Sequence, residues 1–238
     1  MPPTPGALAT NLRAVRGRIA RAAADAGRDS DGVRLVAVSK TFPLAAVESA
    51  ARAGLADFGE NRVQEAVGKI EASTGLPVRW HLIGHLQSNK ARQAAVRFDW
   101  IHSVDGVKLV ERLERAAAEA GGAPRLLVQV DLAGEATKHG APLDAVRRIL
   151  RAAAANRAAR VCGLMLMPPW NADPETVRPF FRRLRELRDT LLDEGIADDM
   201  LRELSMGMSH DFEVAIQEGA TMVRVGTALF GRRSPPAH

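Results

Sequence analysis

The feature that most restricts this chain is an alternation. Short, continuous apolar runs rich in valine and leucine recur between amphipathic helical stretches from residue 33 onward. A run with no apolar/polar alternation is a strand buried on both faces, the condition of a parallel sheet covered by helices. Such runs fall at 33–39, 56–59, 78–83, 99–103, 125–131, 159–165, 203–205 and 221–226. Helical patterns separate them, at 43–53, 61–73, a stretch ending near residue 97, 106–120, 142–156, 174–194 and 210–218, with a short turn at 228–231. Eight strands alternating with helices is the tally of a (β/α)8, or TIM, barrel. An extra N-terminal helix over 8–26 puts Leu8, Leu12, Val15, Ile19, Ala22 and Ala23 on one face and stops at Gly27, so it would cover the wall left bare by the short last unit. A doubly wound open sheet is the alternative, but no Gly-x-Gly-x-x-Gly follows the first strand. No linker or change of composition divides residues 1–238, which read as one domain with 1–6 and 233–238 flexible.

Charge narrows the partners. The formal charge is +5, from 33 Lys+Arg against 28 Asp+Glu, and the arginines are dispersed. The densest group, Arg13, Arg16, Arg18 and Arg21, shares its helix with Leu12, Val15 and Ile19, which makes it a solvated helix face. With aromatics at 4% there is little to stack on bases, and no nucleic-acid partner is expected. A mild basic excess suits an anionic small ligand. Cys162 is the only cysteine and lies in the apolar run Val161-Cys162-Gly163-Leu164, so no intramolecular disulfide forms and a buried structural thiol is expected. The N-terminus has no apolar signal core and no run reaches membrane-span length. The cytoplasm and no membrane partner are the expectation.

In a barrel, residues just after each strand converge on one mouth. The converging set is Lys40; Glu60 and Asn61; His85 and Gln87; Ser103 and Asp105; Asp131; Met165 and Met167; Ser205 and Ser209; and Gly226 and Thr227. The loops after the last two strands, Leu204-Ser205-Met206-Gly207-Met208-Ser209 and Val225-Gly226-Thr227-Ala228, have the small and hydroxyl residues of a phosphate site. Arg224 lies inside the last strand, where an unpaired charge is costly. By alternation it faces the barrel interior, two residues before that loop. A lysine at strand one, a phosphate loop at strands seven and eight and an inward arginine together suggest pyridoxal 5'-phosphate. Lysine forms a Schiff base with its aldehyde, and arginine meets the pyridine nitrogen while keeping its own proton.

The chain resembles the YggS/PROSC family of pyridoxal-phosphate-binding (homeostasis) proteins over nearly its whole length. The matching stretches are Val36-Ala37-Val38-Ser39-Lys40, Phe58-Gly59-Glu60-Asn61-Arg62-Val63-Gln64-Glu65, Trp80-His81-Leu82-Ile83-Gly84-His85-Leu86-Gln87-Ser88-Asn89-Lys90, the Leu204–Ser209 stretch and Val223-Arg224-Val225-Gly226-Thr227-Ala228-Leu229-Phe230-Gly231. The resemblance implies a fold-type III barrel, like the N-terminal domain of alanine racemase, with the cofactor on Lys40. It implies phosphate held around Ser205, Ser209, Gly226 and Thr227, Arg224 at the pyridine nitrogen, and Asn61 and His85 as further pocket positions. Lys138 looks like a secondary cofactor contact of that family. The implied role is cofactor homeostasis, with pyridoxal-phosphate-dependent apo-enzymes as recipients.

Other constellations carry less. His81 and His85 are four apart, but on a strand and a glycine loop, so they share no helical face and no metal is expected. Ser209-His210-Asp211 is contiguous and lacks a nucleophile elbow, and no catalytic residue is assigned. A carrier that holds the cofactor competes with a racemase-like enzyme. Two-base racemisation needs an acid/base group on each face of the substrate. The alanine racemase family supplies a tyrosine from a partner subunit, and it carries an added β domain. This chain has no tyrosine and no length left for such a domain; Lys40 could serve one face, and only His85 or an acid the other. The carrier reading and a monomer follow.

Overall fold

The computed structural model describes residues 3–134 and 139–231, and in it the alternation closes on itself. Eight parallel strands form one closed barrel in sequence order: β1 (Arg34–Val38), β2 (Asp57–Glu60), β3 (Arg79–Leu82), β4 (Trp100–Val104), β5 (Arg125–Val130), β6 (Arg160–Leu166), β7 (Glu203–Met208) and β8 (Met222–Val225). The seam is β1 against β8, with Arg34 opposite Met222 and Val36 opposite Arg224. The helices are α1 (Pro5–Asp25), α2 (Leu44–Arg52), α3 (Val63–Ala72), α4 (Ala91–Arg97), α5 (Val107–Ala120), α6 (Leu143–Ala153), α7 (Arg178–Asp193), α8 (Phe212–Gln217) and the single turn α9 (Thr227–Phe230).

Burial explains why the strands lack alternation. Every residue of β2, β4 and β8 is buried, because one face meets the helices and the other fills the barrel. The outer core includes Phe58, Phe181, Phe212, Leu113 and Ile149. Inside the barrel, Trp100, Leu127, Met165 and Met222 make a separate apolar cluster. The guanidiniums of Arg34 and Arg125, each the first residue of its strand, lie 4.8 and 5.1 Å from the centre of the Trp100 ring. These cation–π contacts close the N-terminal end of the barrel.

The extra helix does cover the last unit. Its buried face is the expected Leu8, Leu12, Val15, Ile19, Ala22 and Ala23. Arg18 forms a two-point ion pair with Glu213 of α8 and lies 4.4 Å over the Phe212 ring, while Asn11 donates to the Leu229 carbonyl of α9. The helix opens at Pro5, not at Leu8. Thr4 caps it by accepting from the Ala7 N–H, and proline's fixed φ suits the first turn. The rest of the expected flexible termini, 1–2 and 233–238, lie outside the described residues.

The other notable difference is β7, which runs to Met208 where the sequence pattern ended it at Ser205. Gly207 does not end the strand. It sits within it at φ 90° against Phe212 and Ala215, where an added Cβ would come within 2.6 Å of the Ala215 Cβ. Cys162 is largely buried and donates to the Leu126 carbonyl. Burial pushes its thiol up to about 12, so it is an inert core group. Among the described residues no helix is long and apolar enough to cross a membrane.

Candidate cofactor site

The C-terminal ends of the strands surround one cavity of about 490 Å³, a size that suits a small ligand. All but one of the expected site residues line it: Lys40 after β1, Asn61 after β2, His85 after β3, Ser209 after β7, Arg224 in β8, and Gly226 and Thr227 after β8. The exception is Ser205. It is fully buried below the cavity floor, where its hydroxyl meets His102 Nδ1 at 2.9 Å and accepts from Arg224 at 2.7 Å. It supports Arg224 and is not a wall residue. Lys138 lies outside the described residues.

The turn carrying Lys40 is held from behind. Ser39 donates to the Glu60 carboxylate at 2.6 Å, and Lys69 of α3 donates to Glu60 and to the Ser39 carbonyl at 2.8 and 3.0 Å. The Thr41 N–H donates to Glu65 at 2.6 Å. Thr41 itself is at φ 68°, a strained setting for a β-branched residue. Glu60 therefore does not reach the mouth. Burial raises its carboxyl, against the opposing pull of Lys69 and Ser39. Other members of the expected set are also displaced. Ser103 is fully buried and Met165 belongs to the interior cluster. Asp131 accepts the N–H groups of Ala133 and Gly134.

Arg224 is almost wholly buried. Among the described residues its guanidinium donates to the Ser205 hydroxyl and to the Leu166 carbonyl at 2.8 Å, and it forms no ion pair. Burial lowers its pKa to about 10, with Asp211 pulling the other way, so it stays charged at neutral pH. A charge kept in such a place and facing a cavity awaits an electron-rich partner. Across the floor, the N–H groups of Gly226 and Ala228 converge on the Ser209 hydroxyl at 3.0 and 3.3 Å. That is a donor cluster of the kind that receives an anion.

On the opposite side Gly84 brings the loop after β3 against β2. A Cβ there would fall 2.2 Å from the Asn61 carbonyl oxygen, so only glycine lets Asn61 and His85 share a wall. His85 stacks on His139, with ring centres 3.6 Å apart and planes 10° from parallel, and lies 3.6 Å from Asp105. Burial, and then the neighbouring His139, lower the His85 pKa, while Asp105 opposes them. Ligand atoms of His85, Asp105 and His139 come within 4.8 Å of one another. However, stacked imidazoles point their lone pairs along parallel planes, and one metal cannot lie in both.

Sequence reasoning missed Gln129, Phe42, His139, Trp170 and His210 in the lining. Trp170 stacks on His210 with ring centres 6.2 Å apart. Only its place in the Pro-rich loop after β6 could have signalled it.

The model of the alanine racemase N-terminal domain matches residues 7–234. A pyridoxal phosphate homeostasis protein of Pseudomonas aeruginosa is 47% identical over 228 residues, covering 95% of this chain and 96% of its own. One from Aquifex aeolicus is 42% identical over 222 residues, covering 93% and 96%. The structure of PipY from Synechococcus elongatus with pyridoxal phosphate bound superposes with a TM-score of 0.83 at 41% identity, over 94% of this chain and all of that one. Alanine racemase of Clostridium difficile shares the fold at 14% identity and a TM-score of 0.73. On its sequence, its barrel and these matches, the chain belongs to the family of pyridoxal phosphate homeostasis proteins, built on the alanine racemase N-terminal domain.

Proposed function

We propose that this protein binds pyridoxal 5'-phosphate through a covalent link to Lys40 and carries or buffers it for the cell, without turning over a substrate of its own. The observation that carries this reading is Arg224, a buried charge with no acid partner among the described residues, on the wall that also holds Lys40 and the Gly226–Ala228 donors. The site fits the group. Lys40 supplies an amine, Ser209, Thr227 and the two N–H groups supply donors for a phosphate, and Arg224 supplies a donor for a ring nitrogen. The names of the relatives and the ligand bound by PipY support the same reading.

When bound, pyridoxal phosphate supplies an aldehyde that captures amines and a ring that withdraws electrons best when its nitrogen is protonated. Arg224 only donates. It would leave that nitrogen without a proton and so blunt the ring's pull on electrons. The chain has no tyrosine. Of the described imidazoles at the cavity, His85 stacks on His139 and His210 on Trp170. Holding is favoured over chemistry. We place this activity in the cytoplasm, in a monomer that passes its cofactor to apo-enzymes.

Three measurements test the proposal. Arg224→Ala should weaken retention of pyridoxal phosphate roughly tenfold or more, the scale of one charged hydrogen bond, and Thr227→Ala about fivefold, with both variants folded by circular dichroism. Loaded protein should activate a pyridoxal-phosphate-dependent apo-enzyme and should not interconvert amino-acid enantiomers. Racemisation by the wild type that disappears in Lys40→Ala would overturn the carrier reading.

A further inference from the structure

Below the cavity a file of buried polar side chains crosses the barrel interior. Arg79 binds both oxygens of Asp57 at 2.7 Å. Asp57 meets His81 Nε2 at 2.9 Å, His81 Nδ1 meets His102 Nε2 at 2.9 Å, and His102 Nδ1 meets Ser205 Oγ at 2.9 Å. Ser205 Oγ then meets Arg224 at 2.7 Å. His81, His102 and Ser205 are completely buried, and Asp57 nearly so.

The two ends, with both imidazoles neutral, fix the direction of every link. Arginine can only donate, so Ser205 accepts from Arg224; because a hydroxyl oxygen could accept twice, its own hydrogen goes to His102 Nδ1 only where both buried imidazoles are neutral and Asp57 takes the hydrogen of His81 Nε2. His102 then donates from Nε2 to His81 Nδ1, and His81 donates from Nε2 to Asp57, which as a carboxylate only accepts. Both imidazoles are neutral in this arrangement. Burial pushes both histidines below their ordinary pKa, His102 furthest, and Asp57 pulls the other way only at His81. Each ring nitrogen in the file has a partner and no link is frustrated.

TIM-barrel interiors are ordinarily filled by branched apolar side chains. A polar file is tolerated there only when every member is satisfied, and apolar replacements would fold as well or better. Its retention calls for a reason at an end that does something. One end is Arg79 at the start of β3. The other is Arg224, which lines the cavity.

We propose that Asp57, His81, His102 and Ser205 are positioning residues. Their one-way hydrogen-bond file turns the Ser205 lone pairs toward Arg224 and, with the Leu166 carbonyl, holds the guanidinium at the height where it meets the bound cofactor. The inference rests on the cofactor reading above and adds to it a set of residues that touch no ligand.

A double-mutant cycle on the full-length protein tests it, with pyridoxal phosphate affinity by equilibrium dialysis as the readout. Ser205→Ala should weaken affinity about fivefold, the scale of one lost hydrogen bond, and should shift the absorption maximum of the bound cofactor. In an Arg224→Ala background the same change should cost less than about twofold, because the residue it positions is gone. His102→Ala should behave like Ser205→Ala. If that larger truncation does not fold, Ser205→Ala, which removes one oxygen, decides alone. Losses that simply multiply, or a Ser205→Ala protein with wild-type affinity and spectrum, would overturn the relay while leaving the cofactor reading intact. A wild type that takes up no pyridoxal phosphate would overturn both.

Discussion

Thr41 follows the lysine at φ 68°, and the local chain holds it there through the Glu65–Thr41 and Lys69–Ser39 hydrogen bonds. A left-handed non-glycine residue costs about 1–3 kcal/mol, while glycine gives back about 0.5–1 kcal/mol in lost chain entropy. Thr41→Gly should therefore raise the stability of the cofactor-free protein by up to about 2.5 kcal/mol in urea denaturation. It should also loosen the Lys40 turn and reduce pyridoxal phosphate retention. A variant less stable than wild type would show that the threonine side chain has a contact that outweighs its strain. Much at this scale was legible in the sequence: Lys40 at a strand end, and Arg224 facing inward by alternation. Ser205 was misjudged for a specific reason. The sequence pattern ends the seventh strand at Ser205, which sets that residue at the mouth; with the strand running to Met208 it drops into the barrel interior. Glu60 was misjudged similarly. Asp57 bonds to His81 in the interior and Glu60 to Lys69 of α3, so the alternation along β2 turns Glu60 away from the mouth.

At the scale of elements, the strand–helix periods were readable because each strand is apolar on both faces and each helix on one. What no local pattern could show is the polar file, whose members sit on β2, β3, β4, β7 and β8. Asp57, His81, His102, Ser205 and Arg224 are strangers until the barrel closes. The helix α1 offers a clear test of what seals the short last unit. Leu12 lies on the buried face of α1, and Leu12→Ala should cost about 2–5 kcal/mol. The Arg18–Glu213 pair is about one-third exposed, at 30% and 39%, so Arg18→Ala should cost under about 1 kcal/mol. Thermal or chemical denaturation of the two variants separates these outcomes. A larger loss from Arg18→Ala than from Leu12→Ala would mean that polar contacts, not burial, fasten α1.

For the molecule as a whole, the buried histidines link stability to pH. Burial holds His81 and His102 below their ordinary pKa, so both stay neutral in the fold as pH falls. In the unfolded chain a histidine takes its proton near pH 6.5. Below that point the unfolded state binds more protons than the native one, so stability declines as pH drops and is fully present above about 6.5. Each histidine contributes a slope of up to about 1.4 kcal/mol per pH unit. Urea denaturation of the cofactor-free protein between pH 7.5 and 5.5 should show a midpoint that changes little down to about pH 6.5 and falls below it. A flat profile would contradict the neutral, one-way file. Asp57 acts in the same sense at lower pH. Desolvation alone would raise its carboxyl, but hydrogen bonds from His81 and Arg79 outweigh it and hold the group well below the usual carboxylate range. Its contribution is lost only in stronger acid.

The central claim is that Lys40 holds the cofactor in the cavity that Arg224 and the Gly226–Ala228 donors complete. Loading the protein with pyridoxal phosphate, reducing with borohydride and mapping the digest by mass spectrometry tests this most directly. One pyridoxyl-phosphate adduct per chain is expected, on the peptide containing Lys40 and lost in Lys40→Ala. An adduct on another lysine of the wild type, or one of undiminished yield in Lys40→Ala, would contradict it.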